Sequence, residues 1–107
     1  HPVIRRPRQL CISYRLRHLA ITGHAGYADC GHDSYCAAVW AVFQGALNCL
    51  DGPESSYEAQ ARSGLGSLRV IGAVDQHDKT VLEVMLRELK DLAMSYPEYI
   101  RYKEEEK

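Results

Sequence analysis

The sequence predicts a single α+β domain in which a small sheet packs with two main helices, the first largely buried. Three observations carry this. Two stretches have the length and apolar spacing of helices, several short runs rich in β-branched and aromatic residues read as strands, and 107 residues suffice for one hydrophobic core. With 46% hydrophobic and 25% charged residues the composition is that of an ordinary globular chain, with no sign of global disorder.

The elements follow in order. Residues 1–9, with Arg5, Arg6 and Arg8, read as a basic or appended arm ahead of the domain. Leu10–Tyr14 and Leu19–Thr22 carry the β-branched and aromatic residues of strands. Cys36–Leu50 (CAAVWAVFQGALNCL) is apolar on nearly every side, which predicts a helix enclosed by the core, and Asp51, Gly52 and Pro53 stop it. Gly64 and Gly66 predict a turn between Tyr57–Arg62 and a strand in which Leu68 and Val70 alternate with Arg69 and Ile71, reaching toward Gly72. A second helix, about Lys79–Tyr96, sets Val81, Leu82, Met85, Leu86, Leu89, Leu92 and Ala93 on one face and Glu83, Arg87, Glu88, Lys90 and Asp91 toward solvent. Thr80 and Glu83 have capping-box spacing, Asp78 is an equal candidate for the N-cap, and Pro97 ends the helix. Residues 102–107 read as a frayed polar tail.

The formal net charge is −1, yet Arg5, Arg6, Arg8, Arg15 and Arg17 all precede the first acidic residue, Asp29. A cluster of this size reads as a solvated face, so direct nucleic-acid binding is not expected. There is no run of about 18 apolar residues and no secretory h-region, so the protein is expected to be soluble, free of the membrane and cytoplasmic. Cys11, Cys30, Cys36 and Cys49 form an even set, but the apolar content makes staples unnecessary, and free thiols are expected.

Chemistry concentrates in residues 23–36, GHAGYADCGHDSYC, with two histidines, two cysteines, two aspartates and three glycines between strand and helix. Cys36 falls where the unpaired amides and dipole of a helix start favour a thiolate. With Asp33 as N-cap, Cys36 takes the third helical position and its backbone is fixed, although the nearby carboxylate opposes the thiolate. His24 lies twelve residues earlier, at the end of a strand, and is positioned to act as the base of a Cys/His pair for acyl transfer. The amide of Cys36 and its glycine-rich neighbours are suitable oxyanion donors. The same residues admit two other readings, a structural Cys and His, and a zinc site of His24, Cys30, His32 and Cys36; the latter lacks the paired two-residue spacings of common zinc sites.

GHAGYA, followed by Gly-x-Asp-x-x-Cys-Ala-Ala-Val ending in Cys36 to Val39, resembles the ribosomal-processing cysteine protease (Prp) family. LRELKDLAMSYPEYIR is similar to that family's closing helix and Tyr-Pro end, in the right order along the chain. The resemblance implies a compact α+β homodimer of the bacterial cytoplasm that removes the N-terminal extension of a large-subunit ribosomal protein. It implies a peptide partner, no metal and no organic cofactor. It assigns His24 as base and Cys36 as nucleophile and maps the family's loop aspartate to Asp33, a helix-capping or substrate-positioning residue; Gly26 and Gly31, by their own backbone freedom, read as a flexible loop able to close over the peptide. Cys30 and His32 receive no chemical role. Ser34 and Tyr35 stand where the family is usually aliphatic, and Trp40 where it has a small hydroxyl residue. Trp40, one turn beyond Cys36, either reshapes the site or packs in the core. The alternative to the protease is a catalytically silent ribosome-associated peptide-binding module.

Overall fold

A computed structural model describes residues 9–23, 33–62 and 64–105. Residues 1–8, 24–32, 63 and 106–107 lie outside that description.

Strand β1 (Leu10–Arg15) and strand β2 (His18–Gly23) form a hairpin because their apolar residues alternate in step: Leu10, Ile12, Leu19 and Ile21 are buried on one face. Leu16 and Arg17 turn the chain with positive φ at both positions, 51° and 63°, the geometry of a tight hairpin turn built here without glycine or asparagine. Helix α1 (Ser34–Cys49) follows, then a short 3-10 turn Glu54–Ser56, strand β3 (Tyr57–Arg62), strand β4 (Leu65–Val70), helix α2 (Gln76–Ser95) and strand β5 (Ile100–Glu104). The sheet order is β3-β4-β2-β1-β5, antiparallel throughout except that β5 runs parallel to β1.

Both helices cover one face of this sheet. Leu10, Ile12, Leu19, Ile21, Leu68 and Ile100 meet Cys36, Val39 and Phe43 of α1 and Met85, Leu89 and Ala93 of α2 in one buried cluster. The spacings 36-39-43 and 85-89-93 are those of a single helix stripe. Removing most of one such side chain, as in Phe43→Ala, costs about 3–5 kcal/mol in a core that cannot collapse around the gap. The other face carries Cys11, Ser13, Thr22, Arg69, Arg101 and Lys103, all exposed. α1 is the more buried helix, but Ala37, Ala41 and Gly45 lie open to solvent, so the core encloses less of it than its apolar composition suggested.

Four expectations are corrected. Helix α2 begins at Gln76 rather than Lys79 because Asp75, not Asp78 or Thr80, is the N-cap and accepts from the Asp78 amide. Gly66 belongs to β4, not to a turn; it faces inward, where a Cβ would stand 2.9 Å from the Trp40 ring. Strand β4 stops at Val70, short of Gly72. Tyr102, Lys103 and Glu104 are strand rather than frayed tail, because Ile100 and Tyr102 turn inward beside Leu10 and Ile12.

Candidate active site

The first turn of α1 is assembled around Asp33. Its backbone is extended, and one carboxylate oxygen accepts from the amides of Tyr35 at 2.9 Å and Cys36 at 3.1 Å. Asp33 is itself buried, so two otherwise orphaned donors of the helix end are satisfied out of water. Cys36 therefore sits at the third helical position, 1% exposed, with its sulfur in the shared core cluster. The Cys36 amide, which the sequence offers as an oxyanion donor, donates to Asp33 here.

The second component is the end of β2. Gly23 has φ 87°, and a Cβ there would stand 2.7 Å from the carbonyl oxygen of Gln9, so only glycine fits. Its amide donates to the carbonyl of Gly64, which also has a positive φ. The chain thus leaves the sheet toward His24 in one enforced direction. His24, Gly26, Cys30, Gly31 and His32 lie outside the described residues, so the pairing of His24 with Cys36 and the four-ligand zinc set are not visible. Cys11 and Cys49 are exposed free thiols, whereas Cys36 is buried.

Two aromatic features flank Cys36. Tyr35 stacks on Tyr99 with centroids 4.4 Å apart and planes 11° from parallel, and lies 4.9 Å from the ring of Tyr96. This ties the turn that holds Cys36 to the chain between α2 and β5. Sequence reasoning read Tyr-Pro there as a helix stop and missed the stack; the recurrence of Tyr at 96 and 99 was the available signal. On the other side Trp40 packs edge to face against Phe43, centroids 5.7 Å apart, and over Gly66. It is half-buried and packs against the core cluster.

A further polar cluster lies away from this turn. The buried Asp78 carboxylate accepts from the amides of Asp51 and Gly52, each at 2.8 Å, from the Tyr57 hydroxyl at 2.6 Å, and from His77 Nδ1 at 2.8 Å. His77 also reaches Asp51 at 3.3 Å. Asp51, His77 and Asp78 have the spacing of a metal triad, but both oxygens of Asp78 are already occupied twice over by donors. These bonds, led by the Asp51 amide and the Tyr57 hydroxyl, hold the Asp78 carboxyl well below the usual carboxylate range. Burial, with the bond to Asp78, pushes Tyr57 up to about 12.

The sequence model of the cysteine protease Prp family matches residues 9–101. The ribosomal processing cysteine protease Prp of Mycoplasma pneumoniae is 33% identical over 89 residues, 83% of this chain and 88% of that one. Its counterpart in Staphylococcus aureus is 30% identical over 84 residues, covering 74% and 77%. A crystal structure of the essential ribosomal processing protease Prp from S. aureus, with a covalently linked product peptide, superposes at a TM-score of 0.75 and 24% identity over 92% of this chain and 99% of that one.

Proposed function

The chain belongs to the cysteine protease Prp family, and on that premise we propose that it removes the N-terminal extension of a large-subunit ribosomal protein, with Cys36 as nucleophile and His24 as general base. The observation that carries this reading is the seating of Cys36 on a helix turn whose amides are fixed by a buried Asp33, within a chain that matches the protease family along most of its length.

The chemistry follows from the residues. His24 takes the proton of the Cys36 thiol, and the sulfur attacks the scissile carbonyl carbon. As the tetrahedral adduct collapses, the C–N bond breaks and the imidazolium of His24 gives its proton to the departing amine. A water molecule, deprotonated by His24, then attacks the thioester; the C–S bond breaks, the extension leaves as a carboxylic acid, and the thiol is restored. Asp33 is a positioning residue in this scheme, holding the backbone of Cys36 so that the sulfur is not carried by a fraying helix end. Gly26 and Gly31 allow the intervening loop to close over the peptide.

The protein acts in this reading in the cytoplasm as a homodimer. No helix of the described residues is long and apolar enough to cross a membrane. An apolar groove between α1 and α2, lined by Val42, Ala46, Cys49, Val81 and Val84, supports a second copy as its cover. The Trp40 packing against Phe43 and Gly66 favours an active enzyme over a silent peptide-binding module, since the ring is absorbed without displacing the first turn.

The test is incubation with the organism's own extended ribosomal protein. Wild type is expected to release the extension, Cys36→Ala to release none, and His24→Ala to act far more slowly. Cleavage by Cys36→Ala at the wild-type rate would end the proposal.

A further inference from the structure

The sheet turns its second face away from both helices, and among the described residues nothing covers it. Its side chains come from alternate positions of all five strands, so residues far apart in the chain stand in rows across it. At one end Arg69 is in register with His18, and His18 with Arg15; at the other, Arg62 is in register with Leu65, and Arg101 with Cys11. Lys103 stands beside Ser13 in the row between. All five of these arginine and lysine side chains are exposed.

Two carboxylates share the face. Glu105 pairs with both Arg15 and Lys103, each at 3.2 Å, and Glu58 is in register with Arg69. Five cations against two carboxylates leave a surplus of about three positive charges, on a chain whose formal net charge is −1. Between the cations the surface is low, because Ser13, Ala20, Thr22 and Ser67 are short, and three of them carry hydroxyls. A chain of phosphates can approach the sheet closely there, within reach of the guanidinium forks on either side.

The same face is poor in what other partners need. Leu65, half-buried, is its one large apolar side chain among the described residues, and no Phe, Tyr or Trp lies on it. Protein interfaces are built around an apolar centre, and anionic membranes hold surfaces that also carry apolar anchors. Surfaces that bind nucleic acid are polar and cationic instead. A second copy of this chain is a poor cover, since it would set cations against cations.

We propose that this open face of the sheet binds RNA through its sugar–phosphate backbone. The cationic surface is read from the sheet itself; the choice of RNA over another polyanion rests on the protease reading above, in which the substrate is a protein of the ribosome. The expectation against nucleic acid came from the N-terminal arginines alone, and it is the pairing of β5 with β1 and of β4 with β2 and β3 that gathers the later cations beside Arg15. With no ring to stack a base on, the contact is led by phosphate, independent of sequence and strongly dependent on salt.

The test is the fluorescence anisotropy of a labelled, unstructured RNA of about 12 nucleotides, titrated with the full chain over a series of salt concentrations. Binding is expected at low salt, with log affinity falling against log salt at a slope of about −2 to −3, as for three or four neutralised phosphates of a single strand. Arg69→Gln and Arg101→Gln, at opposite ends of the face, are each expected to weaken binding roughly three- to tenfold and to make the slope shallower by about 0.7. Arg87→Gln, the same charge change on the exposed side of α2, is expected to bind as wild type. No binding at low salt, unchanged affinity and slope in both face variants, or an equal loss in Arg87→Gln overturns the proposal. Polyglutamate and phosphatidylserine vesicles are expected to compete poorly; displacement of the RNA by either at equal charge also overturns it, assigning the face to an acidic protein or to a membrane. Cleavage of the extended ribosomal protein without RNA present separates the two readings: cleavage with no RNA binding removes only this proposal, whereas RNA binding with no cleavage removes only the protease.

Discussion

Asp33 commits one carboxylate oxygen to two amides, and that single residue decides how firmly the backbone of Cys36, the proposed nucleophile, is held. Asp33→Asn keeps an oxygen acceptor and is expected to preserve most of the stability and part of the activity. Asp33→Ala removes the cap, and denaturant unfolding is expected to show a loss of about 0.5–2 kcal/mol, with kcat falling more than KM rises. Equal activity in the Ala variant would mean that the cap does not position Cys36. Leu16 offers the opposite case. It is exposed and sits at φ 51°, a region that asparagine occupies more readily than leucine. Leu16→Asn is expected to stabilise the hairpin by roughly 0.5–1 kcal/mol, read as a higher unfolding midpoint with unchanged cleavage.

Among the elements, the latch around Asp78 joins the end of α1 and the start of β3 to the first turn of α2. His77 bridges Asp78 and Asp51, and its pKa is raised, first by the hydrogen bond to Asp78 and then by the charge of Asp51. A raised histidine stabilises the fold fully below its ordinary value near 6.5, and that contribution is lost as pH rises through the folded value. The depressed Asp78 works in the other direction, contributing fully above the ordinary carboxylate range and failing as strong acid protonates it. Stability is therefore expected to be greatest at mildly acidic pH and to decline through neutrality, and thermal unfolding of His77→Gln is expected to lack that alkaline decline. An identical decline in the variant would assign it to another group.

Periodicity made α1 and most of α2, β1 and β2 legible in the sequence, since each buries one regular stripe. Asp33 was legible for a local reason: a cap is a relation between neighbours. The parts that escaped depend on distant chain. Asp78 looked like a cap because nothing nearby shows that its carboxylate bonds residues 26 and 27 positions earlier. β5 looked like a polar tail because its pairing partner is β1, at the other end of the chain. The stack of Tyr35 on Tyr99 is non-local for the same reason.

At the scale of the molecule, one face of the sheet builds the core and both helices serve it, while the turn that holds Cys36 is gripped from two sides, by Tyr35 on Tyr99 toward β5 and by Trp40 over Gly66 toward β4. The scaffold thus fixes the buried turn of Cys36 through the cap at Asp33, and fixes the end of β2 through the enforced backbone of Gly23. The central claim is that Cys36 forms a thioester with the extension during cleavage. The most direct measurement is to mix enzyme and extended ribosomal protein in a single turnover, quench in acid, and map the adduct by mass spectrometry. The expected result is the extension attached to the peptide that contains Cys36, absent in Cys36→Ala; an adduct on any other residue, or cleavage that proceeds in Cys36→Ala, would contradict it.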